Sequence, residues 1–147
     1  MARIVLLDSG PVGMVTHPRR NAEVKAWLRE LLLGGTIVFV PEIVDFEVRR
    51  EFLRAGKTRS VERLDALVAA LTYLPITTPA MRQAASFWAL ARRQGRPTAP
   101  DLALDADVIL AGQAAVLSGG DEVIVATTNV GHLARFVDAR EWQDIRP

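Results

Sequence analysis

The chain contains no cysteine, which excludes disulfides, thiolate nucleophiles and cysteine-ligated zinc. Imidazole is scarce as well: His17 and His132 are the two histidines, so any bound metal is expected to be oxygen-ligated. No apolar run approaches the ~20 residues of a membrane-spanning helix. Met1-Ala2-Arg3 leads directly into a strand-like segment rather than a signal peptide. The expectation is a cytoplasmic protein with no membrane partner. Lysine is nearly missing too, since of the 18 basic residues only Lys25 and Lys57 are lysine and the rest are arginine. Arginine suits planar phosphate contacts, but biased codon usage and solvated helix faces produce the same composition. With a net charge of +1, charge alone does not decide for a nucleic-acid surface.

Half of the 147 residues are hydrophobic, enough for one compact domain spanning residues 1–147. Residues 4–7, 36–40 and 123–126 are short continuous apolar runs, the pattern of strands covered on both faces, and residues 72–76 read as a fourth, shorter strand. Helical stretches lie between them. Asn21 is placed to cap a helix carrying Val24, Trp27, Leu28, Leu31 and Leu32, stopped by Gly34-Gly35. Residues 42–55 follow Pro41 and end at Gly56, and Ser60 opens a further helix through Val61, Leu64, Leu67 and Val68. Thr78-Pro79 pairs a cap with proline at the first helical position of a helix reaching Gln94, with Met81, Ala84, Ala85 and Trp88 as its apolar stripe. Asp101 is the candidate cap of a helix running to about Leu117 and ended by Gly119-Gly120. Strands alternating with helices predict an α/β domain with a small, mainly parallel sheet flanked by helices.

Four polar residues stand where apolar segments end or on apolar helices: Asp8, Glu47, Asp107 and Asn129. In an open parallel sheet, ligands bind outside the carboxyl ends of the strands, and Asp8 and Asn129 each follow a predicted strand closely. Glu47 lies in the first two turns of a helix that starts directly after the second strand. Asp107 shares a face with Ala111 and Ala114, small residues that would let its helix approach the sheet closely. Carboxylates beside an apolar core need a common partner, and a divalent cation such as Mg²⁺ or Mn²⁺ is the expected one. Asp105, two residues from Asp107, cannot face the same ion from the same helix side. It remains open as a water-mediated ligand, a ligand of a second metal ion, or a stabiliser of the helix N-terminus.

Each residue also has a structural reading. Asp8 suits a turn before Gly10-Pro11, Asp107 an exposed helix position, and Asn129 a left-handed loop position. Glu47 can pair with Arg50, and Glu51 with Arg54, along one helix. What favours the site is that all four arrive at one rim of the same α/β pattern. Oxygen ligands around one or two divalent ions suit phosphodiester hydrolysis by an activated water. His17 and His132 are not needed for it, and His132 is expected to set the loop after Asn129. Candidate substrate contacts are Arg49, Arg50 and Arg54, together with Arg19 and Arg20 in the turn after the first strand.

The segments Ile-Val-Leu-Leu-Asp8-Ser-Gly-Pro, Val-Pro-Glu-Ile-Val-Asp-Phe-Glu47-Val-Arg-Arg, Asp105-Ala-Asp107-Val-Ile-Leu-Ala-Gly-Gln-Ala and Ala-Thr127-Thr128-Asn129 resemble the PIN-domain family, in particular the VapC-like toxins of bacterial toxin–antitoxin pairs. The resemblance spans nearly the whole chain. It implies a metal-dependent ribonuclease fold with Asp8, Glu47 and Asp107 at the family's acidic positions, and Asn129 where many members carry a further aspartate. It also implies a homodimer and inhibition by a small antitoxin protein. The competing reading is a PIN-like nucleic-acid-binding module with little turnover. A phosphatase with an aspartyl nucleophile fits poorly, because Gly10 stands where its second aspartate would be. A dinucleotide fold lacks its third glycine and a helix start after the first strand.

Overall fold

The computed structural model describes residues 2–101, 105–117, 119 and 121–147. Five strands form one sheet: β1 (Arg3–Leu7), β2 (Ile37–Pro41), β3 (Thr72–Leu74), β4 (Glu122–Thr127) and β5 (Ala139–Glu141). Their order is β3-β2-β1-β4-β5, and every pairing is parallel. The helices among the described residues are α1 (Ser9–Val15), α2 (Ala22–Leu33), α3 (Glu42–Arg54), α4 (Thr58–Ala70), α5 (Thr78–Arg93), α6 (Ala106–Ala115) and α7 (Val130–Leu133). The α/β architecture with a small parallel sheet is as expected.

β1 is the central strand, and Val5, Leu6 and Leu7 are fully buried together with Ile124, Val125 and Ala126 of β4. This explains why both strands are written as continuous apolar runs rather than alternating ones. The C-terminal segment is fastened to α2, where Trp27 packs against Trp142 with ring centroids 5.5 Å apart and donates its indole N–H to the Ile145 carbonyl at 2.7 Å. Among the described residues, no helix is long and apolar enough to cross a membrane.

Several local expectations are corrected. A helix, α1, begins directly after Asp8, so Arg19 and Arg20 follow a helix and not a strand-end turn. Asn21 does not cap α2 with its side chain; it adopts φ 66° and donates to the Met14 carbonyl. The cap of α5 is Thr77, whose hydroxyl accepts from the Ala80 N–H. The cap of α6 is Asp105 rather than Asp101; residues 102–104 of the expected helix and Gly120 of its expected stop lie outside the described residues. The close approach foreseen for this helix is to α5: a Cβ on Gly112 would lie 2.4 Å from the Ala80 carbonyl oxygen.

Candidate active site

The β1–β4 ladder runs Leu7 opposite Ala126, and the next residue, Asp8, donates its N–H to the Ala126 carbonyl at 2.9 Å. The sheet thereby delivers Asp8 to its carboxyl rim at the switch point of the strand order, where neighbouring crossovers diverge and leave a crevice. There the Asp8 side chain is held at both oxygens. Oδ1 accepts from the Ser9 N–H at 2.7 Å as the N-cap of α1, and Oδ2 accepts from the Thr127 hydroxyl at 2.7 Å. Thr127 is itself fully buried, and its Oγ1 accepts from the Asn129 N–H at 2.9 Å. One threonine thus fixes both the aspartate and the loop leaving β4.

Glu47 comes from the second turn of α3 and Asp107 from the first turn of α6. The Glu47 carboxyl is pushed up from 4.5 to about 7, first by burial and then by the charges of Asp8 and Asp107, with Arg50 opposing. Burial also raises Asp107; the hydrogen bond from His132 opposes this, while the charges of Asp8 and Asp105 add to it. Asp8, Glu47 and Asp107 therefore share one electrostatic neighbourhood, in which like charge opposes ionisation of Glu47 and Asp107. His132 Nδ1 lies 3.0 Å from Asp107 Oδ2. An ionised carboxylate can only accept, so Nδ1 carries the proton in this contact.

The donor set fits a hard divalent cation: three carboxylates without sulfur, repelling one another in a half-buried cleft, are what such an ion neutralises. The side chains do not close into a ready cage, and among the described residues no group of three or more His, Asp or Glu is drawn together tightly enough to hold an ion. Asn129 reaches the same rim as the N-cap residue of α7, with no side-chain cap bond. Asp105 stands apart from the set. It is buried, its Oδ1 accepts from the Val108 N–H and its Oδ2 from the Thr98 hydroxyl. Of the roles left open for it, stabilising the helix N-terminus is the one the structure shows.

The arginines on α3 divide. Arg49 is clamped between Asp45 at 2.9 Å and Asp65 at 2.7 Å, and Arg54 pairs with Glu51, so neither guanidinium is free as expected for substrate contact. Arg50 forms no ion pair with a carboxylate among the described residues and lies over the Phe46 ring at 5.1 Å, lining a cleft with Ser9, Gly13 and Glu47. Sequence reasoning missed two participants. Thr127 ends a buried apolar strand, but its tie to Asp8 emerges only once β1 and β4 are paired. His132, expected only to set a loop, reaches Asp107 across 25 residues of chain, a pairing that no local pattern signals.

No family model and no curated protein matches the chain. Solved structures do. VapBC2 from Rickettsia felis, bound to a DNA fragment from its promoter, is 14% identical with a TM-score of 0.76, covering 95% of this chain and 98% of its own. FitAcB from Neisseria gonorrhoeae is 25% identical with a TM-score of 0.73, covering 96% and 99%. VapC20 of Mycobacterium tuberculosis, a toxin that cleaves the sarcin–ricin loop, is 14% identical with a TM-score of 0.62, covering 97% and 99%. The chain has the fold of VapC-like PIN-domain proteins.

Proposed function

We propose that the protein is an endoribonuclease that hydrolyses RNA phosphodiester bonds with Mg²⁺ or Mn²⁺, and that it is the toxin of a toxin–antitoxin pair. The observation that carries the reading is the convergence of Asp8, Glu47 and Asp107, with the Glu47 pKa raised by the other two carboxylates after burial. These three would hold the ion, with Asn129 able to add a carbonyl oxygen. When bound, such an ion supplies an activated water and neutralises charge on the phosphate. The chain's own groups do the rest. Thr127 and the Ser9 N–H keep Asp8 in one orientation, His132 orients Asp107, and the Glu47 carboxyl can hold or release a proton near neutral pH. Asn in place of a fourth carboxylate removes one negative charge, which favours fewer or more weakly held ions.

The toxin assignment draws on the VapBC and FitAB complexes among the similar structures, and with it come a small antitoxin partner, a homodimer and a cytoplasmic location. A binding module with little turnover is the alternative, and the lack of a ready ligand cage among the described residues favours testing it. Calorimetric titration of Mn²⁺ separates the two. Saturable binding that disappears in Glu47→Gln and Asp107→Asn is expected of the enzyme; no binding to folded wild-type protein would leave only the module.

A further inference from the structure

Two arginines tie down the connection between α5 and α6. Arg92, in the last turn of α5, has its guanidinium 3.8 Å from the centre of the Trp88 ring, a cation–π contact that supports it from below. From there Nε donates to Asp101 Oδ1 at 2.8 Å and Nη2 to the Ala99 carbonyl at 2.7 Å. Nη1 is buried with no hydrogen-bond partner among the described residues and stands 3.8 Å from Asp105 Oδ2. Arg135, which follows α7, donates from Nη1 to the Arg96 carbonyl at 2.6 Å. The connection is thus held from the end of α5 on one side and from beyond α7 on the other.

Asp105 is where this fastening meets the site. It is only 5% exposed, and it caps α6 by accepting from the Val108 N–H while its other oxygen accepts from the Thr98 hydroxyl. These donors are neutral, and among the described residues Arg92 is the one cation paired with the Asp105 charge. A buried carboxylate that loses its cation is costly to keep in place. Asp107 lies two residues further on, in the first turn of the helix that Asp105 starts, and meets His132 Nδ1 at 3.0 Å. Because Asp105 and Asp107 share one helical turn, a change in how α6 begins moves the Asp107 carboxylate directly.

We propose that Arg92 is a positioning residue: through the charge and cap of Asp105 it fixes the first turn of α6, and so the place of the Asp107 carboxylate against His132. Its consequence for metal rests on the function proposed above; the positioning itself is a property of the metal-free chain. A carboxylate displaced by more than roughly 0.5 Å leaves the productive geometry of a site, and groups that orient a ligand without touching the ion change metal affinity by about ten-fold or more.

The two histidines make the positioning visible without metal. In the contact with Asp107 the His132 proton is on Nδ1, whereas His17 Nδ1 accepts from the Arg19 and Arg20 N–H groups, which leaves its ring proton on Nε2 in the neutral imidazole. Nitrogen NMR of the full chain in EDTA, at a pH well above the ordinary histidine pKa, should therefore show one imidazole of each tautomer. Arg92→Met should move His132 toward the Nε2–H form and leave His17 unchanged, and Arg92→Lys, which keeps the charge, should show only part of that shift. Arg92→Met/Asp105→Asn should recover the wild-type signal, because asparagine still caps the helix and no longer needs a cation. Mn²⁺ titration by calorimetry should follow the same order, with affinity about ten-fold lower in Arg92→Met. Trp27→Phe, which loses the indole bond to the Ile145 carbonyl, is the control for general destabilisation, and thermal melts place each variant beside it. Should Arg92→Met fail to fold, Arg92→Lys alone must show the partial shift. A His132 signal that is Nε2–H in wild type, unchanged in the Arg92 variants, equally altered in Trp27→Phe, or not recovered in the double variant would overturn the proposal. If wild-type protein binds no Mn²⁺ while the His132 signal follows the expected order, the positioning stands and only the metal-dependent nuclease reading falls.

Discussion

Glu47 is ionised with difficulty because it is partly buried beside Asp8 and Asp107, and that couples its proton to stability. The folded protein keeps the Glu47 proton up to about pH 7, while the unfolded carboxyl releases it near 4.5. Between those values the folded state binds more protons, so the metal-free protein should lose stability as pH rises from about 4.5 to 7. Urea midpoints across this range should show that slope in wild type and not in Glu47→Gln; parallel curves would contradict it. The proton also competes with the cation, so Mn²⁺ affinity should weaken as pH falls below about 7. Thr127→Val tests the support beneath Asp8. It removes the donor to Asp8 Oδ2 and the acceptor of the Asn129 N–H, and should cost about 2 kcal/mol of stability by urea unfolding as well as slow any cleavage. An unchanged midpoint would show that the hydroxyl is not needed. Asp8, Glu47 and Asp107 were legible in sequence because a carboxylate next to an apolar segment is anomalous by itself. Thr127 and His132 were not, because a hydroxyl and an imidazole become informative only once their partners, distant in the chain, are known.

Among the elements, β1 and β4 were readable because burial on both faces leaves only one kind of side chain along the strand. α1 was not, since Ser9-Gly10-Pro11-Val12-Gly13 contains three poor helix formers, two glycines and a proline. It is held by its local Asp8 cap and by burial of Val12 and Val15, of which the burial is tertiary in origin. Gly10 suits its place because a Cβ there would lie 2.4 Å from the Thr128 hydroxyl oxygen. The start of α6 was misplaced by four residues because Asp101 and Asp105 are equally good caps by residue type. Asp101 is instead paired with Arg92 at 2.8 Å, and the buried Asp105 takes the helix. β5, three residues long, is too short for any periodicity. The α5–α6 contact makes its own prediction. Gly112→Ala drives a methyl against the Ala80 carbonyl, and overpacking of this kind should destabilise by about 1–3 kcal/mol. Because α6 carries Asp107, Mn²⁺ affinity should fall with it; a variant as stable as wild type would mean that the helices separate freely.

The whole molecule divides its charges more sharply than a net value of +1 suggests. Acidic side chains gather at the carboxyl rim of the sheet, while Arg19, Lys57 and Arg59 stand where α1 and α3 end, with no ion pair among the described residues. Composition could not reveal this division, because it depends on which arginines are tied to carboxylates, as Arg49 and Arg54 are, and which are left free. The most direct measurement is cleavage of a cellular RNA pool by purified protein in Mn²⁺, Mg²⁺ or EDTA, beside an Asp8→Asn/Asp107→Asn double variant shown to be folded. Discrete cuts that need the metal and vanish in the variant are the predicted result. Intact RNA with metal-loaded wild-type protein, or the same cuts from the variant, would contradict the account.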